Sequence, residues 1–151
     1  MNLYFITYGD KNFKISKKHL LYLVNKSELF TKSYALGPKD LDESFKAKYK
    51  NILNEPRGGG YWIWKHHIIE NMIEEVSEGD IVIYLDSGSS LNLLPKAVKR
   101  FHEYIEILKE SEYGSLMFES GNGNILLENR YTSSQLFQAF GADPYSNIGT
   151  T

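Results

Sequence analysis

The stretch Ile81–Ser90, IVIYLDSGSS, decides how this chain is expected to fold. Its first five residues are β-prone and carry no polar interruption, which predicts a strand buried on both faces, as in a parallel sheet. The strand is expected to end at Asp86, which Ser87 and Gly88 follow. Ligands of α/β sheets bind outside the carboxyl ends of the strands, so this end of the strand is a candidate binding site.

Working outward from this strand, the chain alternates between strand and helix patterns. Further strands are predicted at Leu3–Thr7, Ser33–Gly37 and Gly114–Ser120. Helices are predicted over Ile15–Val24, Lys39–Leu53, Ile68–Val76, a segment that begins at Pro95, and Gln135–Phe140. This alternation predicts an α/β fold with a mixed, mostly parallel sheet that has helices on both faces.

Composition limits the class of protein. The chain has 151 residues, which predicts a single domain over residues 1–151. Its 42% hydrophobic content argues against disorder, and a net charge of −2 with scattered basic residues argues against binding duplex nucleic acid. The absence of cysteine excludes disulfides and thiolate metal sites. The short apolar N-terminus has no basic leader and no run is long enough to span a bilayer, so we expect a cytoplasmic protein.

The segment Arg57–Lys65, RGGGYWIWK, combines glycines, aromatic residues and cations. Bare amides on the glycine loop, with Gly59 at its centre, would form a concave anion site. Arg57 and Lys65 could pair with phosphate oxygens there. The aromatic residues that could stack on a base or a sugar are Tyr61, Trp62 and Trp64. The alternative is a loop whose tryptophans only anchor the next helix to the sheet.

Carboxylates after the predicted strands supply the candidate chemistry. Asp86 could reach a bound cation or a ribose hydroxyl, or could simply form an Asx-turn that ends the strand. Glu119 and Glu128 follow later strand-like pieces and could act as general bases, or be solvated strand ends. The adjacent His66 and His67 are read as a surface pair because neighbouring residues on a helix point apart. The phosphate-loop motif, the dinucleotide-binding motif and the nucleophile elbow are absent.

Two segments together resemble nucleotide-sugar-dependent glycosyltransferases of the GT-A type, which build capsule, lipopolysaccharide and viral surface glycans. They are GGGYWIWKHHII and EGDIVIYLDSGSSLN, and the later LLENRYTSSQLFQAFG is similar as well. The resemblance implies a Rossmann-like sheet that binds a nucleoside diphosphate sugar and transfers the sugar to a glycan or another hydroxyl acceptor. A cytoplasmic protein would then work in the host cytoplasm if it were viral. Enzymes of this fold are usually longer, so we expect either a C-terminally truncated chain or a natural minimal domain.

The resemblance also implies roles for individual residues. Thr7, Tyr8 and Asp10 would line the nucleotide pocket, together with the residues named above in the glycine segment. Asp86, with Ser87 and Gly88, stands where the family usually has Asp-x-Asp, and would hold Mg²⁺ or Mn²⁺ or the donor ribose. The second carboxylate of that motif is missing here, which bears directly on whether a divalent cation is needed.

Two other classes of function remain open on the sequence. The chain could be a non-catalytic module that binds nucleotide sugars or glycans through its aromatic residues. It could also be a phosphatase of the haloacid-dehalogenase type, with Asp86 as the nucleophile. That chemistry needs a second carboxylate two residues later, where this chain has Gly88.

Overall fold

The computed structural model describes residues 1–116 and 133–143. The chain divides into two compact units, Met1–Glu110 and Ser111–Thr151. The strands are β1 Leu3–Tyr8, β2 Lys32–Leu36 and β3 Ile81–Tyr84. The helices are α1 Lys14–Ser27, α2 Glu43–Lys48, α3 Lys50–Leu53, α4 Gly58–Tyr61, α5 Ile63–Glu75, α6 Pro95–Lys109 and α7 Ser134–Phe140. Short 3₁₀ turns lie at Lys11–Phe13 and Pro38–Asp40.

The first unit is built on a parallel sheet with the strand order β2-β1-β3. β1 is central, with Tyr4 opposite both Lys32 of β2 and Val82 of β3. The predicted α/β alternation is therefore confirmed for this part of the chain, and the described sheet is wholly parallel. The predicted strand at 114–120 lies mostly outside the described residues.

Alternate residues of β1 point to opposite faces of the sheet. Because these residues are apolar on both faces, helices cover both. On one face Phe5 packs in a cluster with Leu20 and Val24 of α1. On the other face Ile6 and Tyr8 pack in a cluster with residues of α5. β1 is consequently buried on both sides, which explains why its sequence is an uninterrupted apolar run.

The helix predicted over residues 39–53 forms as two shorter helices, α2 and α3. The chain departs from helical geometry at Tyr49, where φ is −109° and ψ is 21°. α2 begins after Asp42, whereas the carboxylate of Asp40 accepts a hydrogen bond from the Gly37 amide at 2.8 Å. The break matters for the site because it sets the direction in which the side chains of both helices project.

The glycine segment is a turn of left-handed helix and not a featureless loop. The φ angles of Gly58, Gly59, Gly60, Tyr61 and Trp62 are 61°, 57°, 96°, 51° and 59°. The Tyr61 amide donates to the Arg57 carbonyl at 2.7 Å, so the turn is closed by a backbone hydrogen bond. Left-handed backbone costs an ordinary residue about 1–2 kcal/mol, which explains the three glycines and makes the following two aromatic residues unusual.

In the second unit, α7 is the described helix. The Ser133 hydroxyl accepts a hydrogen bond from the Leu136 amide at 3.4 Å, and Gly141 ends the helix in left-handed geometry. Across both units, the helices of residues 1–116 and 133–143 include none with the length and apolar content needed to cross a membrane.

Candidate functional site

The first unit contains a cavity of about 650 Å³ at the carboxyl ends of the strands. Segments that follow all three strands form its walls, together with α2, α3 and the left-handed turn. The lining residues are Tyr8, Gly9, Asp10, Asn12, Phe13, Pro38, Leu41, Lys46, Lys50, Leu53, Asn54, Pro56, Gly58, Gly59, Trp62, Trp64, Asp86, Ser87 and Gly88. This volume is within the range of small-ligand and cofactor sites.

The topology explains why the cavity forms here. From β1 the chain goes to β2 on one side and then returns to β3 on the other, so the strand order reverses between β1 and β3. The connections diverge at such a point and leave a crevice. Gly9 after β1 and the buried Ser87 after β3 meet at its floor: a Cβ on Gly9 would lie 2.9 Å from the Ser87 Oγ.

Asp86 carries the most developed set of polar contacts in the cavity. Its Oδ1 accepts a hydrogen bond from the Tyr84 hydroxyl at 2.5 Å and lies 2.9 Å from the Lys65 Nζ. The hydrogen bond from Tyr84, followed by the contact with Lys65, holds the pKa of Asp86 below its ordinary value, although partial burial opposes the shift. Burial, and then the bond to Asp86, raises the pKa of Tyr84. Asp86 is therefore an anion at neutral pH and a hydrogen-bond acceptor for a ligand.

The two tryptophans have different environments. Trp64 is 6% exposed, stacks on Tyr8 with ring centroids 3.9 Å apart, and donates from its Nε1 to the Gly58 carbonyl at 2.9 Å. It joins α5 to β1 and shapes one wall of the cavity. Trp62 is 46% exposed and the Arg57 guanidinium lies 5.8 Å from its ring centroid. Trp62 and Phe13, which is 49% exposed, are thus the lining aromatic residues with surface accessible to a ligand.

The two cations predicted to pair with phosphate, Arg57 and Lys65, do not line the cavity, although each contacts a residue that does. Lys65 pairs with Asp86, and Arg57 lies over the Trp62 ring. The lysines that line the cavity are Lys50 of α3 and Lys46 of α2, which also pairs with Glu43. Neither is among the residues predicted from the sequence. The break at Tyr49 lies between them, so their spacing alone does not indicate that both reach the same wall.

Several further predicted residues lie elsewhere. Thr7 is fully buried in β1, and its Oγ1 has no hydrogen-bond partner among the described residues. Tyr61 is 55% exposed and does not line the cavity. Glu119 and Glu128 fall outside the described residues. Of the residues predicted from the sequence, the cavity brings together Tyr8, Asp10, Gly59, Trp62, Trp64, Asp86, Ser87 and Gly88.

The cavity offers few oxygen ligands for a divalent cation in the absence of a substrate. Mg²⁺ in nucleotide sites is held by one or two carboxylates together with the phosphates of the substrate. Among the described residues no three acidic or histidine side chains are grouped so that they could hold a metal ion. The lining carboxylates are Asp86, already paired with the Lys65 ammonium, and Asp10, whose oxygens accept hydrogen bonds from Asn12.

Tyr8 gives the cavity wall a measurable pH dependence. Burial, followed by the charges of Asp10 and Asp40, raises the pKa of Tyr8 from 10.0 to about 12. A group whose pKa is higher in the folded state stabilises the fold below its unfolded pKa, and this contribution is lost as pH rises from 10 towards 12. Tyr8→Phe keeps the ring that stacks on Trp64 and removes the titrating hydroxyl.

We therefore expect the wild type to lose about 1 kcal/mol more than Tyr8→Phe when the free energy of unfolding is compared at pH 8 and pH 11. Denaturant titrations of both proteins at the two pH values measure this difference. An identical loss in both proteins would contradict the assignment to Tyr8.

None of the comparisons, made with protein-family models, with curated proteins and with solved structures, returns a match to this chain. The functional argument consequently depends on the cavity and its residues.

Proposed function

We propose that the first unit binds a nucleoside diphosphate sugar and that the chain is a glycosyltransferase. The observation that carries the proposal is the cavity at the reversal of strand order, which combines accessible aromatic rings, lysines and two carboxylates. A nucleoside diphosphate sugar requires the same combination, namely a surface for the base, cations for the diphosphate and an acceptor for ribose hydroxyls. The resemblance in sequence points to the same class.

Each group of the donor has a counterpart in the cavity. The base would stack on Trp62, which lines the cavity and is 46% exposed. Lys50 and Lys46, which also pairs with Glu43, would meet the diphosphate. The predicted anion site of bare glycine amides is not formed, because the Gly59 and Gly60 amides donate to the Pro56 and Glu55 carbonyls. Asp86 would accept a hydrogen bond from the ribose, because the recorded contacts with Tyr84 and Lys65 both fall on Oδ1.

The chemistry proposed is displacement at the anomeric carbon. The acceptor oxygen forms a bond to that carbon, the bond from the carbon to the diphosphate oxygen breaks, and the diphosphate leaves with the electron pair. The acceptor proton passes to a base, for which Glu119 and Glu128 remain the candidates. Lysine cations lower the barrier by neutralising charge that develops on the leaving group.

A non-catalytic module that binds nucleotide sugars is the second candidate. One observation favours it: within the described residues, both lining carboxylates are already engaged, Asp86 with Tyr84 and Lys65, and Asp10 with Asn12. These contacts make Asp86 a weaker base, because they hold its pKa below the ordinary value. Donor binding without release of nucleoside diphosphate would support this candidate, and steady release would exclude it.

Binding is tested by thermal unfolding with a panel of nucleoside diphosphates and their sugars, each with and without Mn²⁺. A ligand at about 100 times its dissociation constant adds about 2.7 kcal/mol to stability. We expect one base to raise the midpoint, with no requirement for Mn²⁺. The absence of a shift with every nucleotide would reject the proposal.

The aromatic contact is tested by comparing Trp62→Ala with Tyr61→Ala. Both residues have left-handed backbone in the same turn, but Trp62 lines the cavity and Tyr61 does not. Stacking of a base on an aromatic ring contributes about 1–3 kcal/mol, so Trp62→Ala should weaken binding about tenfold or more. Calorimetric titration should show little change for Tyr61→Ala, and an equal loss in both variants would reject stacking on Trp62.

A further inference from the structure

A second, smaller concavity of about 330 Å³ lies beside β1 and β2. We call it the basic cleft, because four of its lining residues are lysines: Lys11, Lys14, Lys17 and Lys39. Two aspartates, Asp10 and Asp40, also line it. The cleft therefore carries a net positive charge in a chain whose formal net charge is −2.

The carboxylates of the basic cleft are engaged in local structure. Asp10 accepts hydrogen bonds from the amide and the side chain of Asn12 at 2.8 and 3.2 Å. Asp40 accepts one from the Gly37 amide at 2.8 Å. The ion pairs among the described residues include none of the four lysines. The two aspartates offset part of the charge of the four lysines, and the cleft keeps a formal net charge of +2.

Two of the lysines also lie where a positive charge destabilises the free protein. Lys14 is the first residue of α1 and Lys11 lies in the 3₁₀ turn just before it, near the positive end of the helix dipole, which repels cations. No acidic residue lies in the first turn of α1, and its N-cap, Phe13, makes no side-chain capping bond. An arrangement that lowers the stability of the free protein becomes favourable once an anion is bound between the lysines.

Lys17 makes the wall of the basic cleft rigid. Its Nζ donates to the Gly9 carbonyl at 2.8 Å and to the Leu36 carbonyl at 2.6 Å, so it joins the ends of β1 and β2. Burial lowers the pKa of Lys17, although the charge of Asp40 opposes the shift. Lys11, Lys14 and Lys39 are exposed and project from this wall, free to contact a ligand.

The basic cleft and the larger cavity share Gly9, Asp10 and Pro38 in their linings. A molecule in the cleft would therefore lie next to one in the larger cavity. From these observations we infer that the basic cleft binds the phosphate group of a second substrate, so that the sugar acceptor is a phosphorylated molecule. The identification of the second substrate rests on the proposed glycosyltransferase function, whereas anion binding by the cleft does not.

The probes are inorganic phosphate, a hexose phosphate and the matching neutral hexose, titrated by NMR with the Gly9 and Gly37 amides as reporters. The test variant is Lys11→Gln with Lys14→Gln. The control is Lys18→Gln with Lys26→Gln, which removes two charges from exposed positions of the same helix that do not line the cleft. Removing two charge-assisted contacts should weaken phosphate binding about tenfold or more in the test variant, with the control close to wild type.

Three results would overturn the inference. Equal weakening in both double variants would show a general effect of net charge. Tighter binding of neutral hexose than of hexose phosphate would show that the phosphate is not recognised. Displacement of phosphate by a saturating nucleoside diphosphate would show that the donor itself occupies the cleft.

Failure of the proposed function is separately visible. If no nucleotide binds but phosphate binding still depends on Lys11 and Lys14, the cleft is an anion site and the donor assignment is wrong. If nucleotides bind equally to wild type and to the Lys11→Gln, Lys14→Gln variant while phosphate binds to neither, the donor cavity stands and the cleft assignment is wrong.

Discussion

Gly60→Ala is expected to destabilise the first unit by about 3 kcal/mol or more. Two effects combine at this position. The φ angle of Gly60 is 96°, which a residue with a side chain rarely adopts. In addition, a Cβ there would lie 2.8 Å from the Leu53 Cα and 2.9 Å from the Ile52 carbonyl oxygen. Both are backbone atoms of α3, so they cannot move away by a change of rotamer as side-chain atoms could.

Gly59→Ala is the matched control for this prediction. Gly59 has a φ of 57°, and the nearest atom to its added Cβ is the Trp64 Nε1 at an ordinary contact distance of 3.7 Å. It should lose only the conformational cost of about 1–2 kcal/mol. Denaturant unfolding of both variants measures the difference, and equal losses would show that α3 moves to accept the new methyl group.

The strands could be predicted because of where they are buried. β1 is the central strand of the described sheet and is covered on both faces, and its sequence is accordingly a continuous apolar run. The alternation of strands and helices indicated a mostly parallel sheet, in which Tyr8 and Asp86 both lie at carboxyl ends of strands. This part of the candidate site is determined by topology, which the hydrophobic pattern reveals.

The distribution of cations could not be predicted in the same way. Arg57 and Lys65 were assigned to phosphate because they flank the glycines in sequence, but Lys65 instead lies 2.9 Å from Asp86. Which lysine faces the cavity depends on the break at Tyr49 and on the left-handed turn. Both are tertiary features, since a run of three glycines permits a left-handed turn without requiring one.

Asp86→Ala is expected to lower donor binding or turnover about hundredfold, because it removes the carboxylate proposed to hold the ribose. The fold should remain, since the side chain of Asp86 is 63% exposed. The substitution also leaves Lys65 without its partner, so a smaller loss in Asp86→Asn would separate the loss of the acceptor from the loss of the charge. Release of nucleoside diphosphate from the sugar that gives the largest thermal shift is the measurement.

Asp80→Ala supplies the control at the opposite end of the same strand. Asp80 accepts a hydrogen bond from the Asn2 amide at 2.6 Å and joins the starts of β1 and β3, far along the strand from the cavity. We expect Asp80→Ala to be less stable than the wild type and to keep donor binding. Asp86→Ala should keep its stability and lose donor binding. Near-normal turnover in Asp86→Ala would contradict the role of this carboxylate, because no other lining carboxylate among the described residues follows β3.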